Sequence, residues 1–277
     1  TAFTNLTAGD LIAIRGGQTI STTTTPPTIA ASNVRVQGGY TVCSATRWVR
    51  DPAQFSRLQT TGASTSVLSL GQNFAVPTSN LVVKNVELVG DNTTGALEAA
   101  FTPNLRIENV RIDVSQASPA LGVHVLSSTG VVIDGVEVLA TDVFVTMVPI
   151  KLEASAGVIR NVHFQQLTGA LNVTGVHVLA PIGPVSISNV THELWSYFNQ
   201  SQLIHVQSAT LAPVTVTASQ FVPAVSVGGG GFAHVRAEGE LLRRPAVDVV
   251  EQLTGQAAPG ELPVVADGGR SQAEQTI

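Results

Sequence analysis

Cysteine is nearly absent: the 277 residues contain only Cys43. No intrachain disulfide can form, so sulfur is silent about the redox compartment, and a small buried side chain is the plain reading of that residue. Charge is also scarce, at 12% of residues against a usual share of about 25%. The net charge of −5 comes with scattered Lys and Arg, which leaves no basic stripe for a phosphate backbone and argues against a nucleic-acid partner. No run of about 18 apolar residues occurs, so no membrane-spanning helix is expected. Aromatic residues make up 5% of the chain, few for a groove lined with sugar-stacking platforms. Helical periodicity is missing too: between Leu81 and Phe221 no stretch places apolar residues three and four apart over ten positions.

What fills the chain is Val, Thr, Ala, Gly and Ser, the material of strands and turns. It is arranged as a repeat. The segments LVVKNVEL from Leu81, LRIENVRI from Leu105, VVIDGVEV from Val131, GVIRNVHF from Gly157 and VSISNVTH from Val185 align, with VTVTASQF from Val214 as a weaker copy. Their pivots Asn85, Asn109, Gly135, Asn161 and Asn189 lie 24, 26, 26 and 28 residues apart. A second motif runs between them, centred on His124, Lys151, His177, His205 and His234.

Two alternating apolar/polar motifs locked to one period of roughly 24–30 residues describe stacked coils of short strands. The expected fold is therefore all-β: a right-handed parallel β-helix, a three-sheet solenoid, over residues 1–244. Within it, 33–75 are less regular N-terminal coils, 81–240 are regular coils, and 245–277 form a C-terminal cap or tail with a short helix over Val247–Leu253. The Asn/Gly pivots suit the left-handed backbone of a tight bend, and stacked bend asparagines can hydrogen-bond one another.

Strand alternation sends the centre of each Val-His-Val outward. Ser69, Glu98, His124, Lys151, His177, His205 and His234 then form one outer column. Neutral imidazoles ligate transition metals and titrate near pH 6.5, so His177, His205 and His234 are the metal candidates, in a pH-responsive or metal-binding ridge. The competing reading is that repeat duplication copied His from coil to coil, and no cofactor is expected. A second column, Glu87, Arg111, Glu137, His163 and Thr191, alternates charge in a way that favours register.

The segment with Gly38-Gly39-Tyr40, then Arg47 to Phe55 (RWVRDPAQF), then Val67 to Leu70 resembles a pattern in exported bacterial β-helix repeat proteins, common on the surface of myxobacteria and their relatives. The resemblance, which covers roughly residues 8–240, implies a pectate-lyase-like fold and a secreted or cell-surface location, and it implies no reaction. Thr1 in place of Met suggests a processed chain or a piece of a longer one. Trp48 and Phe55 are expected to pack as a lid over an early coil, beside an Asp51-Pro52 turn.

The function expected is a non-enzymatic surface scaffold or adhesin-like module that contacts polysaccharide or other surface proteins. Trp195, Tyr197 and Phe198, the aromatic cluster in a loop, are the ligand-binding candidates. The alternative is a polysaccharide lyase or glycoside hydrolase with its site near Asp142, Lys151 and Glu153 or near His192 and Glu193. Resemblance to lyases would imply clustered aspartates, and to galacturonases an Asn-Thr-Asp motif. Asp91, Asp113, Asp134 and Asp142 fall at different registers, and no Asn-Thr-Asp occurs. A further alternative is a subunit that stacks end to end through unpaired terminal strands.

Overall fold

The computed structural model describes residues 3, 5–22, 25–43, 47–61, 66–90, 95–114, 120–140, 146–167, 172–192, 201–208, 212–221, 232–239, 247–250 and 265–266. Among them every regular element is a strand, and the strands stack as a parallel β-solenoid.

One sheet runs β3 (Thr28–Ile29), β7 (Leu68–Gly71), β10 (Gly95–Ala100), β12 (Ala120–Leu126), β14 (Thr146–Glu153), β16 (Asn172–Leu179), β18 (Ser201–Ser208), β21 (Phe232–Gly239) and β23 (Val265–Ala266). The other runs β1 (Leu11–Arg15), β4 (Arg35–Cys43), β8 (Val82–Lys84), β11 (Arg106–Asp113), β13 (Val131–Ala140), β15 (Gly157–Leu167), β17 (Val185–His192), β19 (Val214–Thr217) and β22 (Val247–Val250). It also takes in β2 (Thr19–Thr22), β5 (Trp48–Arg50), β6 (Ser56–Thr60), β9 (Val86–Gly90) and β20 (Gln220–Phe221). β8 and β9 flank Asn85, and both pair with β11, which passes through Asn109 unbroken. The second sheet is thus two faces joined at the asparagine corner, and a coil has three sides.

Inward residues explain why these segments stack. Leu97, Val123, Ile150, Val176 and Ile204 occupy equivalent positions, as do Ile107, Ile133, Ile159, Ile187 and Val216. All are buried. β-Branched side chains fit a pleated surface and lose little rotamer freedom there, so each new coil finds a matching apolar floor.

The bend behaves as its residue types require. Asn85, Asn109, Gly135, Asn161 and Asn189 have φ of 55°, 50°, 66°, 54° and 51°. Asn109 Nδ2 donates to Asn85 Oδ1 at 2.9 Å, and Asn189 Nδ2 to Asn161 Oδ1 at 2.7 Å. Gly135 interrupts the ladder, and Asn161 Nδ2 donates instead to Asp134 Oδ1 at 2.7 Å. A Cβ on Gly135 would meet nothing closer than the Asn109 backbone at 3.5 Å. Gly135→Asn therefore fits, tolerates the left-handed bend, and places an amide against Asn109. It is expected to stabilise the chain by roughly 0.5–1 kcal/mol, read as a higher midpoint in denaturant unfolding. A lower midpoint would show that this bend is not equivalent to its neighbours.

One further corner, where the chain passes from the first sheet to the second, escaped the sequence reading. Asn33, Asn80 and Asn104 have φ near 60° and form a second amide ladder, with Asn80 Nδ2 donating to Asn33 Oδ1 at 2.9 Å and Asn104 Nδ2 to Asn80 Oδ1 at 3.1 Å. In the same set of turns Thr102, Ser128 and Ser155 are buried, and the Thr102 and Ser128 amides donate to the hydroxyls of Ser128 and Ser155.

The Gly-Gly-Tyr and Arg-Asp-Pro segments meet. β5 pairs antiparallel with β4, a hairpin set into an otherwise parallel stack. Asp51 N donates to Gly39 O at 2.8 Å, and Asp51 Oδ1 accepts from Ala53 N at 3.0 Å, which makes the expected turn. Gly39 has φ of 81°, and a Cβ there would lie 2.6 Å from Gln54 O and 2.7 Å from Asp51 O. The glycine is required by the turn docked on it. Phe55 lies against the Arg111 guanidinium, 4.3 Å from its ring centroid; the side chains of Trp48 and Cys43 lie outside the described residues.

The tail departs from expectation. Val247–Val250 is strand rather than helix, paired in register with Val214–Thr217, and β23 pairs with β21. Strand pairing thus continues past residue 244, because an open coil offers its unpaired edge to the next extended segment.

Candidate functional site

The outer face of the β3–β23 sheet gathers the polar side chains that the repeat displays. Strand register aligns Ser69, Glu98, His124, Lys151, His177 and His205 as expected. The last member is corrected: Arg236 pairs with His205, and the same register sets His234 opposite Leu203. Spacing in the sequence misjudged the final coil by two residues, a shift that keeps the apolar/polar alternation intact.

Lys151, Glu153 and His124 form one cluster on this face. Glu153 Oε2 accepts from Lys151 Nζ at 2.6 Å and lies 3.1 Å from His124 Nε2. The lysine hydrogen bond, followed by the His124 contact, outweighs burial and holds the Glu153 carboxyl below the ordinary carboxylate range. A general acid needs a carboxyl tuned upward toward neutral pH, so this pairing works against that role.

His177 and His205 also come together, as parallel rings with centroids 4.7 Å apart and planes 2° from parallel. Burial, then the neighbouring His205 and Lys151, lowers the His177 pKa to about 4. In-plane lone pairs of parallel rings run side by side and do not converge on one ion about 2 Å from each. Among the described residues no three His, Cys, Asp or Glu side chains group to hold a metal.

The structure sends His192 inward. It is 2% exposed, at the register of Phe164 and Phe221, with its ring edge-on to Phe164 at 5.9 Å between centroids. Burial, with His163 nearby, lowers its pKa to about 3. The signal was present in the repeat: the last letters of the five aligned copies are Leu88, Ile112, Val138, Phe164 and His192, a core column into which one imidazole has been placed. Asp142, Glu193, Trp195, Tyr197 and Phe198 lie outside the described residues, as does the His234 side chain.

The charge column behaves as expected and extends by one coil. Arg57 reaches Glu87 at 2.8 Å, and Arg111 reaches Glu137 at 2.9 Å. On the adjoining face Lys84 meets Glu108 at 2.6 Å and Arg160 meets Asp134 at 2.7 Å. These ties link successive coils, each contributing on the order of 0.2–1 kcal/mol.

A feature the sequence reading did not single out is an apolar projection at one corner. Phe74 is 78% and Val76 67% exposed, with Phe74 edge-on to Phe101 at 5.3 Å. The pair Phe-x-Val set among turn residues was the available signal.

No protein-family model matches the chain, and no curated protein matches it. Among solved structures, a chain described as Geobacillus virus E2 ORF18 aligns with a TM-score of 0.33 at 7% identity, over 86% of this chain and 55% of that one. This chain therefore spans about half the length of that protein. The Siphovirus 9NA tailspike receptor binding domain aligns with a TM-score of 0.17 at 9% identity, over 92% and 74% of the two chains. Likenesses this low bear on neither lineage nor activity.

Proposed function

We propose that the chain is a non-enzymatic scaffold or adhesin-like module, a solenoid that works outside the cell or on its surface and contacts polysaccharide or other surface proteins. The observation that carries this reading is the use made of the outward carboxylates. Glu87, Glu108, Asp134, Glu137 and Glu153 are each held by an Arg or Lys, most of them on a neighbouring coil. Groups so engaged maintain coil register, whereas glycoside cleavage needs two carboxyls facing one bond at a set separation. The exposed Phe74 and Val76 suit a contact surface, and the Gly-Gly-Tyr and Arg-Asp-Pro resemblance to exported bacterial proteins supports the location.

The test is a screen of the purified chain against acidic and neutral polysaccharides, recording binding together with any release of unsaturated or reducing ends. Binding without release is the expected result, with most of it lost when Trp195, Tyr197 and Phe198 are changed to Ala. Release of new ends that Glu153→Gln or Lys151→Met abolishes would overturn the proposal in favour of a lyase or hydrolase. Light scattering on the same samples reads end-to-end self-association, the reading that applies if growth with concentration replaces polysaccharide binding.

A further inference from the structure

We propose that the stacked pair His177–His205 is a proton-operated latch: unprotonated it holds β16 to β18, and acidification loosens that pairing.

The geometry carries this. The rings lie face to face across a strand pairing, 4.7 Å apart, and the Nε2 atoms of both are shielded from solvent. A ring that takes up a proton there gains a charge whose outer nitrogen is shielded from water, against the face of a second imidazole. Neutral stacked rings attract; two imidazolium rings at this distance repel.

The surrounding groups, among the described residues, favour release over accommodation. From β14 the pair faces Lys151 and Glu153, and Glu153 already accepts from Lys151 and stands beside His124 of β12. From β18 Gln207 hydrogen-bonds the His177 ring and is the polar group that would welcome a proton. On the far side the β21 register sets Arg236 beside His205 and Glu238 beside Gln207. A cation at Lys151 therefore flanks the pair along the column, and the near carboxylate is engaged. Burial and the His205 neighbour already hold His177 in its neutral form.

Because β17 stays paired with β15, β19 and β20 in the second sheet, loosening β16–β18 opens one side of the coil and leaves the strands before it in place. The released edge of β16 would present unpaired backbone groups to another strand. The consequence is a solenoid whose β16–β18 side is closed at neutral pH and opened by acid.

The experiment is site-resolved hydrogen exchange on the intact chain from pH 8 to pH 4.5, corrected for the intrinsic pH dependence. Exchange in β16 and β18 is expected to accelerate relative to β8 and β11 by up to roughly tenfold per pH unit below about 6.5 as His177 takes up its proton. The comparison is made in a His192→Phe chain, which lacks the buried imidazole of the intervening β17; there His177→Phe with His205→Phe, which keeps two flat rings in contact, is expected to remove that difference. Equal response of the two sets of strands in the unaltered chain overturns the proposal, as does a difference that persists in the double variant. Should the double variant fail to fold, NMR titration of His177 in the unaltered chain decides: an imidazole still neutral below pH 5 upholds the latch, and one that titrates near 6.5 overturns it.

Discussion

Lowering the pH from about 6.5 to about 4.5 is expected to destabilise this protein steeply, and His192→Phe to remove much of that loss. His192 is buried in the column Leu58, Leu88, Ile112, Val138, Phe164, His192 and Phe221, and burial brings its pKa to about 3. An unfolded imidazole binds a proton below about 6.5, and the folded one does not until about 3. The unfolded state thus carries the extra proton throughout that interval. The contribution is fully present above pH 6.5 and is lost as pH falls, at up to about 1.4 kcal/mol per pH unit.

The carboxylates act in a different window. Lys84, by hydrogen bond, lowers the Glu108 pKa, and Lys151 does the same for Glu153. Their stabilisation is present above the ordinary carboxylate value near 4.5 and fails only below it. Denaturant unfolding at pH 7, 6, 5 and 4.5 therefore isolates the imidazoles. Phe is the fitting replacement because Phe164 stands at the same register one coil before. The His192→Phe slope should drop toward the part left by His177, and an unchanged slope would mean that His192 is not neutral in the folded chain.

Phe164→Ala is expected to cost about 3–5 kcal/mol, toward the upper end. The ring is fully buried and lies against Gly175, where even a Cβ would sit 2.7 Å from Phe164 Cε2. A cavity left by the ring is bordered there by a residue with no side chain to move into it, so collapse is limited. Because coils contact only their neighbours, the loss should appear first in β15, β16 and β17, and hydrogen exchange in those strands checks it. A cost below about 1 kcal/mol would show that the site repacks.

The sequence carried the periodic part of this structure. Alternating apolar positions, pivots 24–28 residues apart and Asn or Gly at each pivot predict parallel coils, the bend conformation and the Glu87–Arg111–Glu137 column. All of these follow from local rules repeated many times: side chains alternate along a strand, and few residues accept a left-handed bend. The eighth position of each repeat even marked His192 as a core residue, although its chemical type drew it toward a site.

Tertiary structure alone decided what depends on register between coils of unequal length. A two-residue shift leaves alternation unchanged, so only strand pairing could place Arg236, rather than His234, beside His205. Val247–Val250 became strand because an unpaired edge stood next to it. The Gly-Gly-Tyr and Arg-Asp-Pro segments acquired meaning when the hairpin docked on Gly39, and the face-to-face stack of His177 and His205 depends on rotamers that one-dimensional spacing does not encode. Periodicity is a property of one strand and is written in its residues; adjacency belongs to two strands and is settled only when they pack.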